Sequence, residues 1–108
     1  MPTIDDFEDL ALRIGTVARA ELHPTSRHPA IKLWIDFGPL GERQSSARVT
    51  DRYQPAELIG RQIVAVTGFP AMRVGGFRSD VLVLGALTDE GVVLLNADDP
   101  VAPGSAVG

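Results

Sequence analysis

Two arginines flank a short turn in the second half of the chain, which makes this turn a candidate binding site. Arg73 and Arg78 enclose a Val-Gly-Gly-Phe sequence that ends at Phe77, so two guanidinium groups and one phenyl ring lie where the backbone must turn. Guanidinium groups bind phosphates and carboxylates through paired hydrogen bonds, and an aromatic ring offers a flat apolar surface. The segment suits a polyanion, an extended peptide, or no ligand at all.

This turn belongs to a longer stretch, residues 69–87, which we interpret as the binding edge of a small β-barrel. An uninterrupted apolar run from Val81 to Leu84 follows the turn and ends at Gly85. A run of this length bounded by polar or turn residues is typical of a buried strand. We therefore expect residues 81–84 to form a strand buried on both faces.

Length and composition limit the class of protein. The chain has 108 residues, 44% of them hydrophobic, and no cysteine, which predicts one domain over 1–108 without a disulfide, a thiolate metal site or a cysteine nucleophile. The acidic start and the lack of a long apolar run predict neither a signal peptide nor membrane insertion, so we expect a cytoplasmic protein. The net charge of −4 argues against general nucleic-acid binding, but residues 42–78 hold six arginines and three acids.

Local patterns predict mostly strands. Apolar periodicity, caps and turn residues predict a helix over 3–9 with Thr3 as its N-cap, one helical turn over 55–60, and a hairpin turn over 88–91. A phase shift at Gly15 predicts a β-bulge there. The predicted strands are 12–22, 31–37, 42–49, 61–67, 81–84 and 92–95.

This order of elements predicts an all-β OB-fold, a five-stranded Greek-key barrel with short helices at the N-terminus and between strands 3 and 4. We expect the N-terminal helical segment, 1–11, to plug one end of the barrel. The C-terminal extension, 96–108, is expected to be anchored by Val101 and Val107. Because this extension and the polar strand 42–49 look like poor closing elements for an isolated barrel, we expect a dimer.

Several residues have more than one interpretation. Trp34 alternates with the buried side of its strand, so it is expected to point outward as an interface anchor, as a base-stacking platform, or under a neighbouring loop. His23 and His28 each precede a proline, which favours a turn over a metal site, and the Asp98-Asp99 pair favours a turn over a calcium site. No nucleophile is paired with a base, so we expect neither an enzyme nor a cofactor.

Four segments resemble the CsaA-type secretion chaperones, which are stand-alone members of the tRNA-binding-domain (EMAP II-like) OB-fold family. These segments are IDDFEDLALRIGTV, HPAIKLWIDFG, QSSARVT and FPAMRVGGFRSDVLVLGAL, and the resemblance extends from Ile4 to Gly108. It implies a non-enzymatic, ATP-independent homodimer that binds unfolded or precursor proteins. It also implies tRNA and the protein-export machinery as candidate partners.

The wider tRNA-binding family typically has a basic turn, a glycine and then Ser-x-Gly-Met entering the strand. Ser79 matches the serine of that motif, but Val81 and Leu82 replace the glycine and the methionine, and the usual lysines are absent. The Ser-acid-Val-Leu-Val-Leu-Gly sequence is similar to the CsaA branch instead. This departure favours peptide binding over tRNA binding.

Two functions follow from these residues. A peptide-binding chaperone would use apolar and aromatic side chains, which repack around many sequences, whereas a tRNA-binding protein would use arginines on phosphates and the Ser79 hydroxyl. Without the resemblance, Met72 and Phe77 would be assigned to the core at the end of the barrel. The candidate peptide-binding residues are Phe69, Met72, Val74, Phe77 and Trp34; the candidate RNA-binding residues are Arg48, Arg52, Arg73, Arg78 and Ser79.

Overall fold

Nine strands and two short helices follow one another in the computed structural model, which describes residues 1–108. The helices are α1 (Ile4–Leu10) and α2 (Pro55–Leu58), and a 3-10 turn covers Gly38–Leu40. The strands are β1 (Leu12–Leu22), β2 (Ile31–Asp36), β3 (Glu42–Ala47), β4 (Gln62–Val66), β5 (Met72–Val74), β6 (Phe77–Ser79), β7 (Leu82–Val83), β8 (Gly85–Thr88) and β9 (Gly91–Leu94).

Five of these strands form one antiparallel sheet in the order β3-β2-β1-β4-β7. The hairpins β5–β6 and β8–β9 form two further sheets of two strands each. The long strand β1 connects the two halves, because its first residues pair with β4 and its last residues pair with β2. The predicted strands over 12–22, 31–37 and 61–67 are confirmed to within one residue at each end. The hairpin β5–β6 was not predicted.

The β-bulge in β1 was predicted at Gly15 but lies further along the strand. The register with β2 shifts between Val17 and Arg19, so the extra residue is Ala18. Gly15 is needed for a different reason: a Cβ atom there would overlap the Ile35 side chain and lie 2.8 and 2.9 Å from two ring atoms of Phe37. Close packing of these two buried side chains on the backbone explains this glycine.

The core lies on the inner face of the sheet and follows the alternation of β2. Ile31, Leu33 and Ile35 are fully buried, and the intervening residues of β2 face outward, as expected for a strand with one face on a core. Phe37 and Leu58 are also fully buried, so the segment after β2 and the helix α2 complete the core. The core cluster consists of Val17, Ile31, Leu33, Ile35, Phe37, Ala47, Val49, Leu58, Ile63, Ala65 and Val81.

The polar strand β3 closes the barrel within one chain, which contradicts its predicted role as a poor closing element. Ser45 Oγ donates to the Val81 carbonyl over 2.8 Å, and the Gln44 side chain donates to the Arg78 carbonyl over 2.7 Å. The backbone of Gln44 also accepts from the Asp80 N–H over 2.7 Å. Side-chain hydroxyl and amide groups therefore complete the join between β3 and β6–β7.

The C-terminal tail packs along the first half of β1, so the second argument for poor closure was also wrong. The Val107 N–H donates to the Leu12 carbonyl over 2.9 Å, and Ala106 forms a β-bridge with Arg13. Val101 exchanges two hydrogen bonds with the side chain of Gln62, at 3.0 and 2.7 Å. The two predicted anchors, Val101 and Val107, are thus confirmed as backbone anchors.

Helix α1 has the predicted N-cap but not the predicted position. Thr3 and Asp6 form a reciprocal capping box at its start. No residue of α1 is buried, and Ile4 remains 74% exposed, so the helix does not plug the barrel. Its C-terminal end is joined to the end of β4 through backbone bonds from Thr67 to Ala11 and from Gly68 to Leu10.

The prediction that the apolar run 81–84 is buried on both faces was wrong. Val81 is 5% exposed, but Leu82 is 50% exposed, because β7 is short and ends the sheet next to β4. With this correction, the architecture is a five-stranded, nearly closed antiparallel barrel with a short N-terminal helix, which is the OB-fold predicted from the sequence. None of its helices has the length and apolar character needed to cross a membrane.

Candidate functional site

The hairpin β5–β6 forms the centre of the candidate site. Gly75 and Gly76 have φ values of +56° and +81°, so both residues of the turn require the left-handed region that glycine adopts without strain. The tip rests on the β1–β2 loop, where Thr25 Oγ1 donates to the Gly75 carbonyl over 2.6 Å. The turn chemistry therefore fixes the direction in which the hairpin points.

Arg73 and Arg78 lie directly opposite each other across this hairpin. Both are exposed, and Arg73 Nη1 donates to the Gly76 carbonyl over 3.1 Å. Arg78 Nε lies 2.8 Å from Asp80 Oδ1, and Asp80 Oδ2 accepts from the Gln44 N–H over 3.3 Å. The two arginines thus lie close together, as the sequence predicts. Only Arg78 has a carboxylate partner.

An aromatic cluster lies beside the hairpin on the outer face of β1 and β2. Phe77 contacts Trp34 and His23 edge to face, with centroid distances of 5.6 and 5.5 Å. The Lys32 ammonium lies 4.9 Å from the Phe77 ring centroid, and the Arg19 guanidinium lies 4.2 Å from that of Trp34. Cation–π contacts of this kind contribute about 0.5–1 kcal/mol each at exposed sites. The contacts with Arg19 and Phe77 leave the Trp34 side chain half-buried.

Ser79 occupies a different environment from the one expected of an RNA contact. It is 8% exposed, and its Oγ accepts from the Ser46 N–H over 3.3 Å and lies within 3.4 Å of both Ser45 Oγ and the Val81 carbonyl. Its hydroxyl helps to join β6 to β3. In this conformation the group is not presented to a ligand.

The predicted apolar contacts divide into exposed and half-buried residues. Phe69 is 47% exposed and Met72 is 66% exposed, so neither belongs to the core at the end of the barrel. Val74 and Phe77 are half-buried on the opposite face of the hairpin from the arginines. Phe69 also borders an open basin with Arg43 and Arg78. The hairpin and the segment before it therefore display apolar and cationic groups together.

Two of the predicted RNA contacts lie away from this hairpin. Arg52 forms an ion pair with Glu90 at 3.5 Å and lies beside the start of α2. Arg48 follows β3 and borders a groove with Leu82 and Leu87 of the β7–β8 region. The structure does not bring these two arginines together with Arg73.

Sequence reasoning missed four residues of this surface. Lys32 could have been found, because it alternates in phase with Trp34 on the outer face of β2. Arg19 and Arg43 are cross-strand neighbours of β2 residues, which depends on a register that the sequence does not reveal. His23 begins the predicted turn, because its carbonyl accepts from the Ser26 N–H over 3.3 Å. Its ring was missed: the residue is 4% exposed, with Nδ1 2.8 Å from Ser46 Oγ and Nε2 without a hydrogen-bond partner.

The fold and the site define an OB-fold domain that carries a cationic hairpin, β5–β6, between β4 and β7. The chain belongs to the family described as the putative tRNA binding domain, whose model matches residues 12–106. The methionine–tRNA ligase of Thermotoga maritima is 37% identical over 105 residues, which is 97% of this chain and 16% of the ligase. The chain therefore spans about a sixth of that relative.

Two solved structures match over their whole length. The chaperone CsaA from Bacillus anthracis is 51% identical with a TM-score of 0.93, and the alignment covers 100% of this chain and 99% of that one. The CsaA chaperone protein from Picrophilus torridus is 39% identical with a TM-score of 0.93, and it is covered completely. Both comparisons agree with the resemblance found in the sequence.

Proposed function

We propose that this chain is a cytoplasmic, ATP-independent chaperone that binds unfolded or export-bound polypeptides as a homodimer. The observation that carries the proposal is the pair of exposed apolar side chains, Phe69 and Met72, beside the cationic hairpin. The similarity to the two CsaA chaperones supports it, because the alignments cover 99% and 100% of their chains. Methionine and aromatic side chains suit binding to many sequences, since they adapt to different partners.

Suppression of aggregation tests this proposal. A denatured client is diluted into buffer with an equimolar amount of the protein, and light scattering is followed with time. The double variant Phe69→Ser/Met72→Ser removes two exposed apolar groups without opening the core. If each contributes about 1 kcal/mol to client binding, the Kd rises roughly 30-fold and protection at equimolar concentration is lost.

The matched control is Ile59→Ser, which removes an apolar side chain that is 54% exposed at the end of α2. This variant is expected to protect the client as well as the wild type does. Equal protection by the wild type and the Phe69→Ser/Met72→Ser variant would show that clients bind elsewhere. Absence of protection by the wild type would refute the chaperone proposal.

The homodimer needs a self-complementary apolar surface, and we propose that α1 and the tail supply it. Ile4 is 74% exposed and Phe7 is 38% exposed, and they border a mainly apolar groove with Leu12 and Val107. Exposed apolar patches of this kind commonly mark interfaces. The backbone groups of the tail and the hydroxyl of Ser45 in β3 are already bonded within one chain, so dimerisation at this surface uses apolar side chains and not strand pairing.

Transfer-RNA binding is the second candidate, and membership of the putative tRNA binding domain family favours it. Lys32, Arg43 and Arg73 make no ion pair and lie on or beside the hairpin surface. Each phosphate contact adds a little under one to the slope of log affinity against log salt. A gel shift with tRNA at two salt concentrations tests this function, and the lack of any salt-dependent shift at micromolar protein would exclude it.

A further inference from the structure

Strand β5 has a free edge, and the chain itself shows which way that edge faces. Strand β5 pairs only with β6. The carbonyl of Arg78 points away from β5, because it accepts a hydrogen bond of 2.7 Å from the side chain of Gln44 in β3. Arg73 lies opposite Arg78 in the same pair, so the N–H and the carbonyl of Arg73 point away from β6, toward the free edge of β5.

The two-residue turn gives the same result independently. In such a hairpin the pair next to the turn, Val74 and Phe77, exchanges hydrogen bonds, and the following pair, Arg73 and Arg78, does not. No backbone hydrogen bond outside the hairpin uses the N–H or the carbonyl of Arg73. Met72 and Arg73 are both exposed, so this donor and acceptor are open to a ligand.

The side chains of the hairpin divide by face. Arg73 and Arg78 share one face, where two like charges lie directly opposite each other, an arrangement that destabilises a strand pair. Asp80 is the only carboxylate paired with them, and both of its oxygens are already in use. The other face of β5 carries Met72 and Val74. A negatively charged ligand would relieve the repulsion on the first face.

We propose that an extended segment of a client adds as a strand to the free edge of β5, with acidic residues alternating with apolar ones. Strand addition uses backbone hydrogen bonds for affinity and alternate side chains for selectivity. The client residue opposite Arg73 projects on the arginine face and is acidic, and its neighbours project beside Met72 and Val74 and are apolar. This inference rests on the proposed chaperone function and specifies which segments are bound and how.

A second copy of the chain fits this edge poorly. Pairing β5 with the β5 strand of another copy would bring Arg73 close to the arginines of that copy, and like charges on adjacent strands repel. A segment with alternating carboxylates gives the opposite sign of interaction. Charge complementarity therefore selects an acidic extended peptide as the occupant.

The test uses the full chain and four short fluorescein-labelled peptides, measured by fluorescence anisotropy. Three peptides alternate valine with glutamate, glutamine or lysine, and the fourth is the glutamate peptide with N-methylated backbone amides on the residues that would pair with β5. The glutamate peptide is expected to bind about tenfold more tightly than the lysine peptide. N-methylation is expected to weaken it by about tenfold as well, because backbone donors are lost.

Arg73→Glu provides the charge-reversal variant, and far-UV circular dichroism checks that it is folded. It is expected to prefer the lysine peptide over the glutamate peptide. Arg61→Glu is the matched control, because Arg61 is exposed but lies over the ring of Tyr53, away from the hairpin. This control is expected to keep the wild-type order of affinities.

The possible outcomes separate this inference from the proposed function. Equal binding of all four peptides, or no binding together with intact suppression of aggregation, overturns the strand-addition site and leaves the chaperone function in place. No binding and no suppression overturns both. Loss of self-association in Arg73→Glu would assign the edge to a second copy, and loss of tRNA binding without an effect on peptides would assign it to RNA; either result overturns the inference.

Discussion

Replacing Ser45 with alanine tests whether side chains hold the barrel closed. Ser45 is 1% exposed, and its hydroxyl donates to the Val81 carbonyl over 2.8 Å. Removing one partner of a buried hydrogen bond costs about 1–3 kcal/mol. The lower half of that range applies, because Ser79 Oγ lies 3.3 Å from the same carbonyl and can still donate to it. We expect a loss of about 1.5 kcal/mol, or roughly 6 °C in Tm.

The double variant Ser45→Ala/Ser79→Ala sharpens the test. It leaves the Val81 carbonyl without either donor, and Ser79 also accepts from the Ser46 N–H. We therefore expect the double variant to lose more than the sum of the two single variants, by about 0.5–1 kcal/mol, as is typical of groups in one network. Such an excess would identify the two hydroxyls as one closing device.

Urea unfolding measures these differences, with the fluorescence of Trp34 and far-UV circular dichroism recorded in parallel. Protein concentration is kept constant across the variants, since association changes the apparent stability. Ser105→Ala is the control, because its hydroxyl bonds to the Ala102 carbonyl at an exposed site. A Ser45→Ala variant within about 0.5 kcal/mol of the wild type, or additive effects in the double variant, would refute closure by hydroxyl groups.

Two further substitutions test other parts of the fold. Gly15→Ala places a methyl group against the fully buried ring of Phe37, so we expect the free energy of unfolding in urea to fall by about 1–3 kcal/mol. The Cβ of Gly76→Ala meets no atom within 4 Å, so this variant should lose only about 1 kcal/mol, because its φ is positive. A larger loss at Gly76 than at Gly15 would contradict this account of packing. Phe7→Glu puts a charge on the proposed dimer surface, and light scattering is expected to show a monomer where the wild type shows a dimer; an unchanged dimer mass would move the interface elsewhere.

The features that the sequence predicted depend on short-range patterns. The alternation of Ile31, Leu33 and Ile35 assigns β2 and its buried face without reference to the rest of the chain. The capping box of α1 likewise needs only Thr3 and Asp6, three residues apart. Periods of two residues and caps within one turn can be recognised in a single sequence.

The features that the sequence did not predict depend on distant partners. The sequence does not reveal the bond made by Ser45, because its acceptor, the Val81 carbonyl, lies 36 residues away. Gly15 is predicted as a bulge because the side chains that pack on it belong to Ile35 of β2 and to Phe37, just after β2, and this contact is not visible in the sequence. The hairpin β5–β6 is the exception: Gly75-Gly76 is a recognised signal for a two-residue turn, but its flanking strands have only three residues each.

The aromatic cluster limits how the second candidate function could operate. One side of the Trp34 ring is covered by the Arg19 guanidinium, and Phe77 is held by Trp34, His23 and Lys32. A base could stack on Trp34 from that side only by displacing Arg19, which also pairs with Glu21. RNA bound at Trp34 would therefore depend on phosphate contacts more than on stacking against this face of the ring, so its affinity would fall with salt. An extended peptide requires no such displacement, since Met72 and the backbone of Arg73 are already exposed, and this difference favours the peptide as the ligand of the hairpin.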